Sequence, residues 1–111
     1  MTQTLVKVYA DFSPANASML GPVGEAGQRA VGHDAPWLFY EDDRLRISWE
    51  GVYFPLEDVL HALAGTLGKK AEGQLDYLDL ENWRLTRCVL RTGAFHVSRR
   101  SLNQVLEYSG H

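Results

Sequence analysis

The strict two-residue alternation of "RLRISWE", residues 44 to 50, constrains this chain more than any other feature. Successive side chains of an extended segment point to opposite faces, so Leu45, Ile47 and Trp49 share one side and Arg44, Arg46, Ser48 and Glu50 the other. An element that is apolar on one side and charged on the other is a half-buried strand, the pattern of an antiparallel sheet with one face on a core and one on water. Residues 4 to 12, "TLVKVYADF", repeat it, with Val6, Val8, Ala10 and Phe12 as the set facing the core.

A different period governs "PLEDVLHALAGTLG", residues 55 to 68. Leu56, Val59, Leu60, Leu63 and Leu67 recur at three- and four-residue spacing and form the single apolar stripe of a helix. Pro55 suits the first helical position, Glu57 and Asp58 complement the positive end of the helix dipole, and Gly68 stops it. A second helix is expected from Ser98 or Ser101 through Tyr108, with Leu102, Val105 and Leu106 as its stripe.

The remaining segments read as strands and turns. Residues 37 to 40 are an apolar run, Glu41 to Asp43 a polar turn, and the two lead into 44 to 50 as a hairpin. In "LDYLDLENWRLTRC", 75 to 88, Asp76, Leu78 and Leu80 share one side of a strand, while Leu75, Tyr77, Asp79 and Glu81 share the other. Residues 83 to 91 follow with Arg87, Val89 and Arg91 opposite Cys88 and Leu90, and Thr92-Gly93 turns the chain into 94 to 97. Acids and arginines then meet across neighbouring strands, so this crowd of charges is read as cross-strand pairing and not as a reactive centre. Ser13 to Ala35 carries four glycines and two prolines and is expected to be a long loop, shortened at most by a short helix near Glu25 to Val31.

The fold expected is α+β, one domain over residues 1 to 111: a mostly antiparallel sheet of five to six strands with two helices packed on one face, in the order β, loop, ββ, α, βββ, α. No apolar run approaches the roughly 20 residues of a membrane helix. The start "MTQTLVKVYADF" lacks the basic segment and apolar centre of a signal peptide, which makes the cytoplasm the expected compartment.

Chemistry-bearing patterns are sparse. Cys88 is the only cysteine, so no intrachain disulfide forms. His33, His61, His96 and His111 stand at no zinc spacing, and the triplet Glu41-Asp42-Asp43 lacks the alternate spacing of a calcium loop. The segment "GPVGEAGQ" has no Gly-Lys-Ser/Thr. No catalytic residue, metal or cofactor is expected. Charge is the one uneven property: residues 1 to 81 hold six Lys plus Arg against 13 Asp plus Glu, net −7, whereas residues 82 to 111 hold five Arg against one Glu, net +4.

These features favour an interaction or regulatory module that binds a protein partner or associates with itself, and not an enzyme. The alternative is a small-ligand binder or enzyme that uses the 13–35 loop as a lid. Its candidate residues are His33 and Asp34, where a carboxylate can orient an imidazole, with a strand-borne His96 or Cys88 beside them, and Arg87 and Arg91 are further ligand-binding candidates. A third reading gives anion or nucleic-acid binding to the C-terminal arginines, with the acidic balance of the chain, pI near 5.7, weighing against nucleic acid.

Overall fold

A computed structural model describes residues 4–31 and 36–103, side chains of 29–31 excepted. The strands are β1 (Val6–Ser13), β2 (Leu38–Glu41), β3 (Arg44–Gly51), β4 (Glu72–Asp79), β5 (Arg84–Arg91) and β6 (Ala94–Ser101), and the helices are α1 (Leu20–Val31) and α2 (Leu56–Thr66). The six strands form one sheet in the order β2-β3-β1-β4-β5-β6, antiparallel at every step. In β1-α1-β2 the strand β3 lies between the two, and in β3-α2-β4 the strand β1 does. The architecture is thus two interleaved split β-α-β units, extended past β4 by the β5–β6 hairpin. The α+β class and the antiparallel sheet agree with the sequence pattern.

Alternation sorts the residues as expected. Val6, Val8, Ala10 and Phe12 of β1, Leu45 and Ile47 of β3, Leu75 of β4 and Cys88 and Leu90 of β5 are buried in one cluster with Val59 and Leu63 of α2. Burying each such aliphatic side chain contributes about 1.5–3 kcal/mol. Edge-to-face rings extend the cluster, Phe12 to Phe95 at 5.8 Å and Trp37 to Phe54 at 5.7 Å between centroids. Lys7, Tyr9, Asp11, Arg46, Ser48, Gln74, Asp76, Arg87 and His96 occupy the opposite face of the sheet by the same register.

The segment expected to be a loop is mostly helix. Asn16 caps a single 3-10 turn, Ala17–Met19, by accepting the Ser18 N–H, and α1 follows directly as a 12-residue helix. The glycines and prolines were outweighed by burial: Met19, Val23 and Gly27 are buried at four-residue spacing, a helical stripe hidden among residues of poor propensity. Pro22 sits in the first turn, where its missing N–H costs no helical bond. Gly27 has a packing reason, since a Cβ there would collide with the six-membered ring of the Trp37 indole.

A second difference concerns the C-terminal region. Ser98, one of the two expected helix caps, instead lies within β6, which pairs with β5 from Arg84↔Ser101 to Arg91↔Ala94, while Ser101, the other, ends the strand just before the helical residues 102 and 103. A full ladder satisfies more backbone groups than a serine cap does. Residues 102 and 103 are helical, and the remainder of the expected helix, to Tyr108, lies outside the described residues.

Two hairpins close on two-residue turns. Asp42 and Asp43 have φ of 51° and 64°, Thr92 and Gly93 of 48° and 80°, so both turns put two residues in the left-handed region whose twist matches the flanking strands. Gly73, at φ 151°, lies so close to the Asp11 carbonyl and Phe12 that no side chain fits.

Candidate functional site

The acids near position 78 do not converge. Asp76 projects from the face of the sheet that neither α1 nor α2 covers and takes a bidentate pair from Arg87, Nε to Oδ1 at 2.8 Å and Nη2 to Oδ2 at 3.1 Å, while the Gln74 side-chain amide donates to Oδ2 at 3.3 Å. The carboxylate holds the Arg87 guanidinium charged by pushing its pKa up. Asp79 lies in the alternate register and caps the β4–β5 turn, accepting from the backbone N–H of Glu81 at 3.1 Å and of Asn82 at 3.0 Å and from the Asn82 side-chain amide at 2.9 Å. Those bonds, led by the Asn82 side chain, hold its carboxyl below the usual carboxylate range. Among the described residues no group of three metal-ligating side chains comes together.

On the β1 and β3 part of this face the charges neutralise one another. Lys7 reaches Glu50 at 3.4 Å, and the Tyr9 hydroxyl donates to the same carboxylate at 2.8 Å. Arg44 and Arg46 flank Asp11 at 3.6 and 3.8 Å. Desolvation, then the Glu50 hydrogen bond, raises the Tyr9 pKa, and Tyr9 and Lys7 lower that of Glu50. Two open hollows lie here, about 630 Å³ between Tyr9, Phe39, Arg46, Ser48 and Asp76, and about 610 Å³ between Arg44, Glu72, Gly73 and Arg91. The first has the size of a small-ligand site, but Arg46 and Asp76 in its wall already have partners.

The β5–β6 hairpin is different. Residues 84 to 101 contain five arginines and no acid. Arg87 is neutralised by Asp76, and Arg84 lies near enough to Asp79 to help lower its pKa. Arg91, Arg99 and Arg100 are exposed and make no ion pair with a described residue. Lys69 adds a further cation beside the turn, with its Cγ 3.7 Å from where a Cβ on Gly93 would stand.

Among the described residues β6 is also a free edge. The two-residue turn makes Arg91 and Ala94 a hydrogen-bonded pair, and such pairs alternate along the ladder. His96, Ser98 and Arg100 therefore bond to β5, while Phe95, Val97 and Arg99 turn their N–H and C=O groups away from the sheet. Val97 is 47% exposed beside them. At the other end of the hairpin Trp83 takes a left-handed φ of 56°, its indole N–H donating to Asn103 Oδ1 at 2.9 Å and its carbonyl accepting the Leu102 N–H at 2.9 Å.

No protein family, curated protein or solved structure matches this chain. The site therefore rests on its own geometry.

Three of the residues singled out by sequence, Arg87, Arg91 and His96, project from the uncovered face of this hairpin, with His96 opposite Val89 and exposed. His33 and Asp34 lie outside the described residues. Cys88 is buried toward the helices, its thiol pKa pushed up by desolvation, so it and His96 point away from one another across the sheet. Arg99 and Arg100 entered the sequence reading only among the C-terminal arginines of the anion-binding alternative, and the outward backbone of β6 was not singled out. The signal available was their alternation in "AFHVSRRS", which places the two arginines on opposite faces of a strand.

Proposed function

We propose that this protein is a small interaction module and that the β5–β6 hairpin is the element with which it docks on a negatively charged partner. The observation that carries this reading is the set Arg91, Arg99 and Arg100, three exposed guanidinium groups with no carboxylate partner among the described residues, on a chain that neutralises Arg44, Arg46 and Arg87 within itself. Arginine suits the role because its planar fork binds carboxylates bidentately. A polypeptide partner is favoured over nucleic acid. The chain is acidic overall, and Phe95, the one phenyl ring on β6, is half-buried against Phe12 and offers no stacking platform. Pairing of β6 with a second copy of itself is disfavoured, since arginines and His96 would run along arginines and His96 with no acid between them.

Fluorescence anisotropy of labelled polyglutamate at low salt tests the reading. Binding is expected, weakening as salt screens the exposed charges over about 10 Å. The triple substitution Arg91→Glu, Arg99→Glu, Arg100→Glu is expected to weaken it by about tenfold or more. Absence of binding by the wild-type chain, or an unchanged affinity in the variant, would refute the proposal.

A further inference from the structure

We infer that the partner enters as a seventh strand: an extended acidic segment adds to the free edge of β6. This rests on the docking role proposed above and goes further by naming the chemistry and mode of the occupant. Three features coincide on this strand. It is the long edge of the sheet, eight residues against four in β2 at the other side, and the backbone groups of Phe95, Val97 and Arg99 face outward in the spacing that an incoming strand would bond. Its side chains are basic on both faces, with Arg99 on the helix side and Arg100 and His96 on the other, so acids are selected at alternate and adjacent positions alike. Val97, exposed between Phe95 and Arg99 on the helix side, leaves room for an apolar residue directly across from it.

The occupant that fits is an extended segment rich in Glu or Asp with a β-branched residue at its centre. Exposed edge strands commonly carry cations that discourage indiscriminate pairing, and here the same arginines act as a filter: they repel a second β6 and attract an acidic strand. The head-to-tail alternative, in which β2 of one copy pairs with β6 of the next, would bring the acidic Glu41-Asp42-Asp43 turn to the basic edge but offers only four residues of ladder.

The test uses the full chain and a short peptide of Glu residues with Val at its centre, compared with the same peptide N-methylated at alternate backbone nitrogens. Strand addition predicts that the amides of Phe95, Val97 and Arg99 gain protection from exchange on binding, and that N-methylation weakens binding by about tenfold or more, since several bonds of a partly desolvated ladder are lost together. Val97→Pro removes an outward N–H without touching the β5 ladder, and is expected to lose the peptide while keeping the native circular dichroism and thermal transition. Equal affinity for the two peptides, or protection on Arg46, Gln74 and Asp76 of the uncovered face instead, would overturn strand addition while the polyglutamate result still supports the docking role. Tighter binding of an oligonucleotide of equal charge, or concentration-dependent oligomers that mask Phe95, Val97 and Arg99 in the absence of peptide, would also overturn it.

Discussion

The two hairpins at the ends of the sheet are built on the same kind of turn and put to opposite use. In the β2–β3 hairpin the outer strand is four residues long, its turn is Asp42-Asp43, and Leu38, Tyr40, Leu45 and Ile47 pack against the core with Trp37 sealed between α1 and Phe54. In the β5–β6 hairpin the outer strand is eight residues long, most of its side chains are exposed, and Phe95 is its one apolar residue packed on the core. The comparison teaches that the sheet has one edge that is short, acidic and anchored and one that is long, basic and bare. Core packing is concentrated at the first, and the docking role proposed above falls to the second.

The largest expected effect comes from exchanging a residue at each edge. Trp37→Ala removes a ring 5% exposed and should cost about 3–5 kcal/mol in urea denaturation, whereas Val97→Ala should fall within about 0.5 kcal/mol of the wild type. A Val97→Ala cost near that of Trp37→Ala would show the β6 edge to be packed and would erase the contrast. Next in size is the tie between β5 and the body of the sheet. Arg87→Ala and Asp76→Ala should each cost about 1 kcal/mol, and the double variant no more than either alone, because the pair is part-exposed and its members act together.

A comparable effect is expected at the turn that launches β5. Asp79→Ala should lower stability by about 1 kcal/mol near neutral pH. The folded-state pKa of Asp79 is depressed, so its contribution is present above the unfolded carboxyl value of about 4 and is lost as pH falls through the lower folded value. Denaturation curves of variant and wild type should therefore converge in acid; a gap that persists there would remove the carboxylate from the explanation. The smallest effect is at the β5–β6 turn, where Thr92, a β-branched residue, holds a φ of 48°. Thr92→Asn should raise stability by about 0.5 kcal/mol, readable as a shift in the thermal midpoint.

Much of the sheet was legible in the sequence because period-two alternation is a direct consequence of strand geometry. Leu45 to Trp49 and Val6 to Phe12 could face the core in no other way, and the same rule separated Asp76 from Asp79. Helix α1 was hidden for a physical reason as well. Gly21, Gly24, Gly27 and Pro22 have poor helical propensity, and what stabilises the helix is contact with Trp37 and the rest of the core, which no local window contains. The extension of β6 through Arg99 and Arg100 was obscured in the same manner, since Ser98 resembles a helix cap until β5 is in place to pair with it. Of the candidate site, the surplus of arginine was plain from charge counting. That these arginines line a bare edge, and that Arg87 is not among the free ones, required the strand order and the Asp76 pair.

Amide hydrogen exchange of the free protein, read residue by residue along β6, tests the bare edge most directly. His96, Ser98 and Arg100 should exchange slowly, and Phe95, Val97 and Arg99 at rates close to those of an unstructured chain, independent of protein concentration. Slow exchange of Phe95, Val97 and Arg99 in dilute solution would mean that the edge is already occupied, and would contradict the account.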